Sequence, residues 1–91
     1  MEGKEKELEF MLRSRFGSMI RKARKKKKIS QERLSEVAGI STVYLRSLEK
    51  GEYTATWLIW IKICTFLDIN ISELQDMICS LFMNDDYKSP K

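Results

Sequence analysis

The amino-acid sequence predicts an all-α domain built from five helices. Apolar residues recur at spacings of three and four along most of the chain, the period of helices with one buried face. Ser30 and Ser41 stand where two short helices would begin, and Gly39 and Gly51 stand where they would end. No strand pattern, repeat or low-complexity segment interrupts this order. A chain of 91 residues is long enough for one domain with a small core.

The first helix is expected over residues 5–28. Its apolar stripe consists of Leu8, Met11, Leu12, Phe16, Met19, Ile20 and Ala23. Gly17 would allow a break that separates an N-terminal helical arm, residues 1–15, from a core domain of residues 16–83. The apolar side chains of the arm must be buried, either against the fifth helix or across a dimer.

The second and third helices are predicted to form a helix pair joined by a tight turn at Gly39. A chain that reverses between close-packed helices needs a residue without a side chain there. One shared apolar wedge would be formed by Leu34, Ile40, Leu45 and Leu48. With the wedge buried, the outer face of the third helix carries Thr42, Val43, Arg46 and Ser47.

The last two helices follow a short loop. The fourth is expected from about Thr56 to Asp68, and the fifth begins after Asn70, which forms a variant of the capping box with Glu73. The fifth helix is extended, and its apolar face would consist of Ile71, Leu74, Met77, Ile78, Leu81 and Phe82. Residues 84–91 are predicted to be a disordered tail.

The fourth helix carries more apolar side chains than one buried face needs. Its core-facing arc is expected to hold Trp57, Trp60, Ile61, Ile63, Cys64 and Leu67. Ile59 and Phe66 would then lie on the opposite face, with Leu58 beside them. Exposed apolar clusters mark interfaces, so these three residues are predicted to form a homodimer interface. The alternative is that the N-terminal arm covers them.

The positive charge of the chain is confined to one segment. Residues 13–28 hold nine Lys or Arg and no Asp or Glu, whereas the rest of the chain holds eight Lys or Arg and thirteen Asp or Glu. A basic segment on an otherwise acidic chain suggests a polyanionic partner, and nucleic acid is the first candidate. Phosphate contacts are expected from Lys26, Lys27 and Lys28. The alternative is an ordinary solvated helix face.

Several functions are excluded by the composition. There is no His, and two cysteines, Cys64 and Cys79, cannot form a zinc site alone, so no metal, cofactor or catalytic residue is predicted. Both cysteines are expected to be buried free thiols. The charged N-terminus lacks a signal peptide, and the longest apolar run is too short to span a membrane. The expectation is a cytoplasmic protein that binds no membrane and is not an enzyme.

The motifs of residues 16–74 together resemble the phage repressor and Cro-like (Xre) helix-turn-helix family. The matching motifs are Ile20-Arg21 with Arg24, Ser30-Gln31 with Leu34, Ala38-Gly39-Ile40-Ser41, Tyr44-Leu45, Leu48-Glu49-Lys50-Gly51, Ile63, Leu67, and Asn70 to Leu74. The resemblance implies a five-helix, lambda-repressor-like domain that binds double-stranded DNA. Its third helix, about residues 41–50, would be the recognition helix.

The resemblance also assigns residues to roles. Thr42, Val43, Arg46 and Ser47 occupy the base-contacting positions of the family. Phosphate contacts fall to Gln31, which can also brace a recognition side chain, and to Tyr44 and Lys50. Arg24 and Glu49 occupy positions that pair in many members. Three positions depart from the family. Val43 can make only an apolar contact, best with a thymine methyl, and Ser35 stands where Ala is usual. The loop before the fourth helix has Thr54-Ala55-Thr56 where the family often carries Pro.

The predicted function is therefore a sequence-specific transcriptional regulator that acts as a homodimer on a palindromic operator. The alternative is an antitoxin-type or other protein-interaction module that holds a partner protein through helices four and five. The sequence leaves open whether the chain is a restriction-modification controller, a phage or mobile-element repressor, or an antitoxin. It does not identify the operator or the sign of regulation.

Overall fold

The computed structural model describes residues 2–83, and this part of the chain forms five helices and no strand. The helices are α1 (Glu2–Lys26), α2 (Gln31–Ala38), α3 (Thr42–Glu49), α4 (Trp57–Leu67) and α5 (Ile71–Met83). The predicted all-α, five-helix architecture is confirmed. The predicted disordered tail, residues 84–91, lies outside the described residues.

Helices α1 to α4 enclose one apolar core. Its buried residues are Ile20, Leu34, Ala38, Leu45, Leu48, Ile63, Leu67 and Ile69. Leu34 of α2, Leu45 of α3 and Ile63 of α4 are completely shielded from solvent, so all three helices contribute to the centre of this core. The wedge predicted between α2 and α3 is thus present, with Ile40 half-buried at its edge. Burial of each large side chain is worth about 1.5–3 kcal/mol.

The predicted caps fix the lengths of α2 and α3, which are eight residues each. The Ser30 hydroxyl accepts a hydrogen bond from the backbone amide of Arg33, and Ser41 accepts one from Tyr44, both at 3.0 Å. Gly39 ends α2 in the left-handed conformation, with φ of 72°. The caps satisfy backbone groups that a short helix would otherwise leave unpaired.

Helix α1 is continuous through Gly17, so the break that the sequence allowed there is absent. Gly17 is buried because the C-terminal end of α3 lies directly on it. A Cβ atom at this position would lie 2.7 Å from the carbonyl oxygen of Glu49 and still closer to that of Leu48. The glycine therefore serves a contact between two backbones rather than a helix end.

The structure corrects the predicted orientation of α4. Ile59 and Phe66, which the prediction placed on a face that the core does not need, pack half-buried against the core. Trp57 and Ile61, expected inside, are 73% and 47% exposed, and Leu58 is 52% exposed. The buried arc is rotated by roughly 60° from the predicted one, at 100° per residue.

The error has a physical reason. Only Lys62 and Thr65 are polar in α4, so the apolar pattern surrounds the helix and does not define one buried face. Both polar residues lie on the exposed side, Thr65 between Ile61 and Leu58 and Lys62 next to Leu58, and they indicate the orientation of the helix better than the apolar residues do.

The two cysteines are free and differ in exposure. Cys64 is half-buried, and burial raises the pKa of its thiol to about 11. Cys79 is exposed, so the expectation of two buried thiols is wrong for this residue, which lies on the solvent side of α5.

Ile78 of the predicted α5 face is half-buried. The other side chains of that face lie outside the description: Ile71, Leu74, Met77, Leu81 and Phe82.

No helix in the described part of the chain combines the length and the hydropathy that a membrane crossing requires.

Candidate nucleic-acid interface

Helix α3 presents one face to the core and the other to solvent. Leu45 and Leu48 are buried, and Val43, on the outer face, is 69% exposed. Arg46 is also exposed on this face, while Thr42 and Ser47 are half-buried beside it. The four residues predicted to contact bases therefore share the outward face of one short, firmly anchored helix.

A buried ion pair ties the end of α3 to α1. Arg24 donates from Nε to the Glu49 carboxylate at 2.7 Å and from Nη2 to its other oxygen at 3.1 Å. Its remaining Nη1 donates to the backbone carbonyl of Ile29 at 2.9 Å. Both charged groups are almost fully buried, and such a forked pair fixes orientation as well as distance. The Arg24–Glu49 pair that the resemblance implied is present.

The same carboxylate orients Gln31, at the start of α2. The Gln31 amide donates to Glu49 at 3.0 Å, and its carbonyl oxygen accepts a hydrogen bond from Nε of Arg46 at 3.1 Å. Because Glu49 can only accept, the Gln31 amide nitrogen must face it and the amide oxygen must face Arg46. Arg46 is thus held at Nε, and within the described residues its two terminal nitrogens make no hydrogen bond.

A second polar contact joins α2 to the first turn of α3. The Ser35 hydroxyl lies 2.8 Å from the backbone carbonyl oxygen of Glu32 and 3.2 Å from the Thr42 hydroxyl. Ser35 itself is 5% exposed. The departure from alanine at this position therefore places a hydroxyl between α2 and the first turn of α3.

Exposed cations surround the Gln31 side chain. A cleft of about 540 Å³ lies between the end of α1, the start of α2 and the end of α3. Four exposed basic residues line it: Arg21, Lys25, Arg46 and Lys50. Gln31 and Lys50, both predicted to contact phosphate, therefore face the same opening. A cationic cleft at a helix N-terminus is suited to hold an anion.

The run of lysines after Arg24 is divided between two surfaces. Lys26 and Lys27 line a different cleft, beside Leu67 and Asp68, and not the cleft around Gln31. Lys27 forms an exposed ion pair with Asp68 at 2.9 Å. Lys28 is exposed in the turn after α1, where its φ of 59° reverses the chain. The structure does not bring Lys26 and Lys27 together with the other predicted phosphate-contacting residues.

Arg21 and Lys25 line the cleft around Gln31, and the sequence prediction did not include them among the phosphate-contacting residues. A usable signal was present, because the expected Arg24–Glu49 pair already fixed which side of α1 faces α3. At 100° per residue, Arg21 and Lys25 lie within about 100° of Arg24, whereas Lys26 lies nearly opposite. The positions of the basic residues around the helix, rather than their density in the sequence, decide which of them face α3.

Tyr44, predicted to contact phosphate, is half-buried at the edge of α3. Its ring lies 6.3 Å from the ring of Tyr53, which is 57% exposed in the loop before α4.

In the described residues, His, Cys, Asp and Glu nowhere form a group of three able to hold a metal ion. The surface formed by α3 and the cleft around Gln31 carries hydrogen-bonding and positively charged groups that suit a polyanion.

The fold and these motifs have known counterparts. The profile of the helix-turn-helix family matches residues 20–74, more than half of the chain. Among solved structures, the chain resembles the restriction-modification controller protein C.AhdI from Aeromonas hydrophila, with a TM-score of 0.64 and 31% identity over 71% of this chain and 94% of that chain. The comparison with curated proteins gives no match.

A second solved structure has a similar fold. The clp gene regulator ClgR from Corynebacterium glutamicum aligns with a TM-score of 0.68 and 24% identity over 80% of this chain and 79% of that chain. The predicted family and lambda-repressor-like fold are thereby confirmed. The chain belongs to the helix-turn-helix family, whose members are DNA-binding regulators and not enzymes.

Proposed function

We propose that the protein is a sequence-specific transcriptional regulator that binds a palindromic operator as a homodimer, with α3 in the major groove. The observation that carries this proposal is the fixed position of Arg46 on the outer face of α3. Gln31 holds Arg46 at Nε, and Glu49 orients Gln31 in turn. A side chain positioned before binding loses less conformational freedom when it meets a base.

The proposed contacts divide into two groups. Arg46 would donate from both terminal nitrogens to O6 and N7 of a guanine, the commonest specific contact in the major groove. Val43 would touch a thymine methyl, and Thr42 and Ser47 would meet neighbouring bases. The phosphate contacts would come from Gln31, Tyr44, Lys50, Arg21 and Lys25, with Lys26, Lys27 and Lys28 contributing at longer range.

Arg46→Ala is expected to weaken operator binding by about 1–3 kcal/mol and to relax preference at one base pair. Because Arg46 is exposed, the thermal stability of the variant should match that of the wild type. In vitro selection from a random DNA library gives the operator, and fluorescence anisotropy on its single-base variants gives the preference. Arg33→Ala is the matched control, because Arg33 is an exposed arginine of α2 outside the cleft around Gln31. Full discrimination by Arg46→Ala would contradict the proposed role of α3.

The salt dependence of binding tests the phosphate contacts. The double variant Arg21→Ala, Lys25→Ala should lower the slope of log affinity against log salt concentration by about two units, roughly one for each lost phosphate contact. Lys26→Ala, Lys27→Ala removes the same charge from the cleft beside Asp68 and should lower the slope less. Equal slopes for the two double variants would show that only the total charge of α1 matters.

The homodimer is proposed to form through the exposed face of α4. Trp57, Leu58 and Ile61 are large apolar residues exposed along one side of this helix. Of the predicted interface only Leu58 remains, since Ile59 and Phe66 pack against the core. Two protomers would bury six such side chains, each worth up to about 1.5–3 kcal/mol before the cost of association is subtracted.

Leu58→Asp, Ile61→Asp is therefore expected to sediment as a folded monomer, whereas the wild type sediments as a dimer at tens of micromolar. The variant should lose affinity for the palindromic operator and keep weak half-site binding, because α3 is unchanged. Phe10→Asp places the same charge at an apolar residue of α1 that is 58% exposed, and it should remain a dimer. A wild-type protein that sediments as a monomer would favour the alternative, in which this face of α4 holds a different protein.

A further inference from the structure

The contact between Ser35 and Thr42 restricts what the Thr42 hydroxyl can do. Ser35 Oγ lies within hydrogen-bonding distance of two oxygens, the backbone carbonyl of Glu32 at 2.8 Å and Oγ1 of Thr42 at 3.2 Å. A carbonyl oxygen can only accept, so the single Ser35 hydroxyl hydrogen must point to Glu32.

The hydrogen between Ser35 and Thr42 then has to come from Thr42. With its hydroxyl hydrogen donated to Ser35, Thr42 offers any further partner only the lone pairs of Oγ1. Thr42 is the first residue of α3 and is half-buried, so one side of its hydroxyl is enclosed by the domain. In helix-turn-helix complexes the N-terminal residues of the recognition helix contact base edges.

We propose that Ser35 makes Thr42 an obligatory hydrogen-bond acceptor and thereby directs it to a base with an exocyclic amino group, adenine or cytosine. In the major groove, adenine N6 and cytosine N4 donate, whereas the polar groups of guanine and thymine only accept. Phosphate oxygens also only accept, so the Thr42 hydroxyl cannot be used on the DNA backbone. This inference rests on the proposed function and names the chemistry of one position in its operator.

Ser35 is thus a positioning residue for specificity, although it is buried behind α3. The surface residues Arg46 and Val43 would select guanine and a thymine methyl by their own chemistry. Thr42 carries a hydroxyl that can donate or accept in isolation, and its neighbour removes one of the two choices. An alanine at position 35 would restore both choices without changing the outer face of α3.

The test begins with the operator selected by the wild-type protein. Thr42→Val keeps the shape of the side chain, removes the hydroxyl, and identifies the base pair that Thr42 contacts by the preference it loses. That base is then replaced by its deaminated form, which exchanges the amino group for a keto oxygen. The opposite base is changed with it, so that hypoxanthine pairs with cytosine, or uracil with adenine, and no mismatch is created. Affinities are measured by fluorescence anisotropy at one salt concentration.

Deamination should weaken wild-type binding about tenfold, the effect expected when one hydrogen bond is replaced by two facing acceptors. Ser35→Ala should lose at most about threefold on the same DNA, because its Thr42 hydroxyl can rotate and donate to the keto oxygen. Thr42→Val should bind the two DNAs alike.

The inference is overturned by wild-type binding that deamination does not weaken, by a Thr42→Val variant that changes preference at no position, or by an undiminished tenfold loss in Ser35→Ala. These outcomes differ from failure of the proposed function, in which selection with the wild-type protein enriches no sequence. Thermal melting checks that Ser35→Ala is folded. If it is not, the comparison of the wild type with Thr42→Val on the two DNAs decides alone.

Discussion

Replacement of Gly17 by alanine is expected to lower the free energy of unfolding by about 2–3 kcal/mol, the upper range for overpacking a tight contact. The added Cβ would lie against the backbone carbonyl oxygens of Leu48 and Glu49. Carbonyl groups at a helix end cannot change rotamer to make room. Helices α1 and α3 must therefore move apart, and core residues such as Ile20 and Leu48 lose part of their packing. Urea unfolding followed by circular dichroism measures the loss.

Gly3→Ala is the matched control in the same helix. A Cβ atom at Gly3 would have no heavy atom of the protein, beyond its own helix, within 4 Å. Alanine in an open helical position is favoured over glycine by up to about 1 kcal/mol, so this variant should be unchanged or slightly stabilised. If Gly17→Ala and Gly3→Ala unfold at the same urea concentration, the contact between α1 and α3 is looser than the structure describes.

Glu49→Ala is expected to cost about 3–5 kcal/mol of stability, the usual effect of breaking a buried ion pair from one side. The Arg24 guanidinium would remain almost fully buried without its counterion. The loss should also reach the proposed DNA-binding surface, because the Gln31 amide would no longer be oriented toward Arg46. Glu49→Ala protein that stays folded at low temperature should discriminate less well at the base pair that Arg46 is proposed to contact.

Glu36→Ala provides the control for this effect. Glu36 pairs with Arg33 at 3.3 Å, and both side chains are more than half exposed. Exposed pairs contribute at most about 1 kcal/mol, so this variant should melt close to the wild type and keep its operator preference. Thermal melting compares the stability of the two variants. Fluorescence anisotropy compares their binding to the selected operator and to an operator changed at the base pair that Arg46 is proposed to contact. A Glu49→Ala protein as stable as Glu36→Ala would show that water or another group compensates Arg24.

The sequence predicted α2, the turn and α3 closely because the signals there are local. Ser30 and Ser41 each accept a hydrogen bond from the backbone amide three residues later, and Gly39 ends α2 by its own backbone conformation. The same locality identified the outer face of α3, since Leu45 and Leu48 must both point inward. Contacts of this range can be deduced from spacing without knowledge of the rest of the fold.

The remaining features depend on how helices meet, which spacing does not encode. Gly17 looked like a possible break, but its role comes from α3, more than 30 positions later in the chain. The orientation of α4 was ambiguous because nearly all of its residues are apolar, and burial followed its contacts with α1 and α2. The hydrogen bond between Ser35 and Thr42 needs two hydroxyls of different helices at 3.2 Å, a distance that no sequence pattern fixes.

The exposure of Val43 has a consequence for how such a regulator can diverge. With 69% of its surface open to solvent, Val43 contributes little to the core. Substitutions at such positions usually change stability by no more than about 0.5 kcal/mol. A duplicated copy of the gene could therefore acquire a new target site through one codon change at this position, while its product continued to fold and assemble as before.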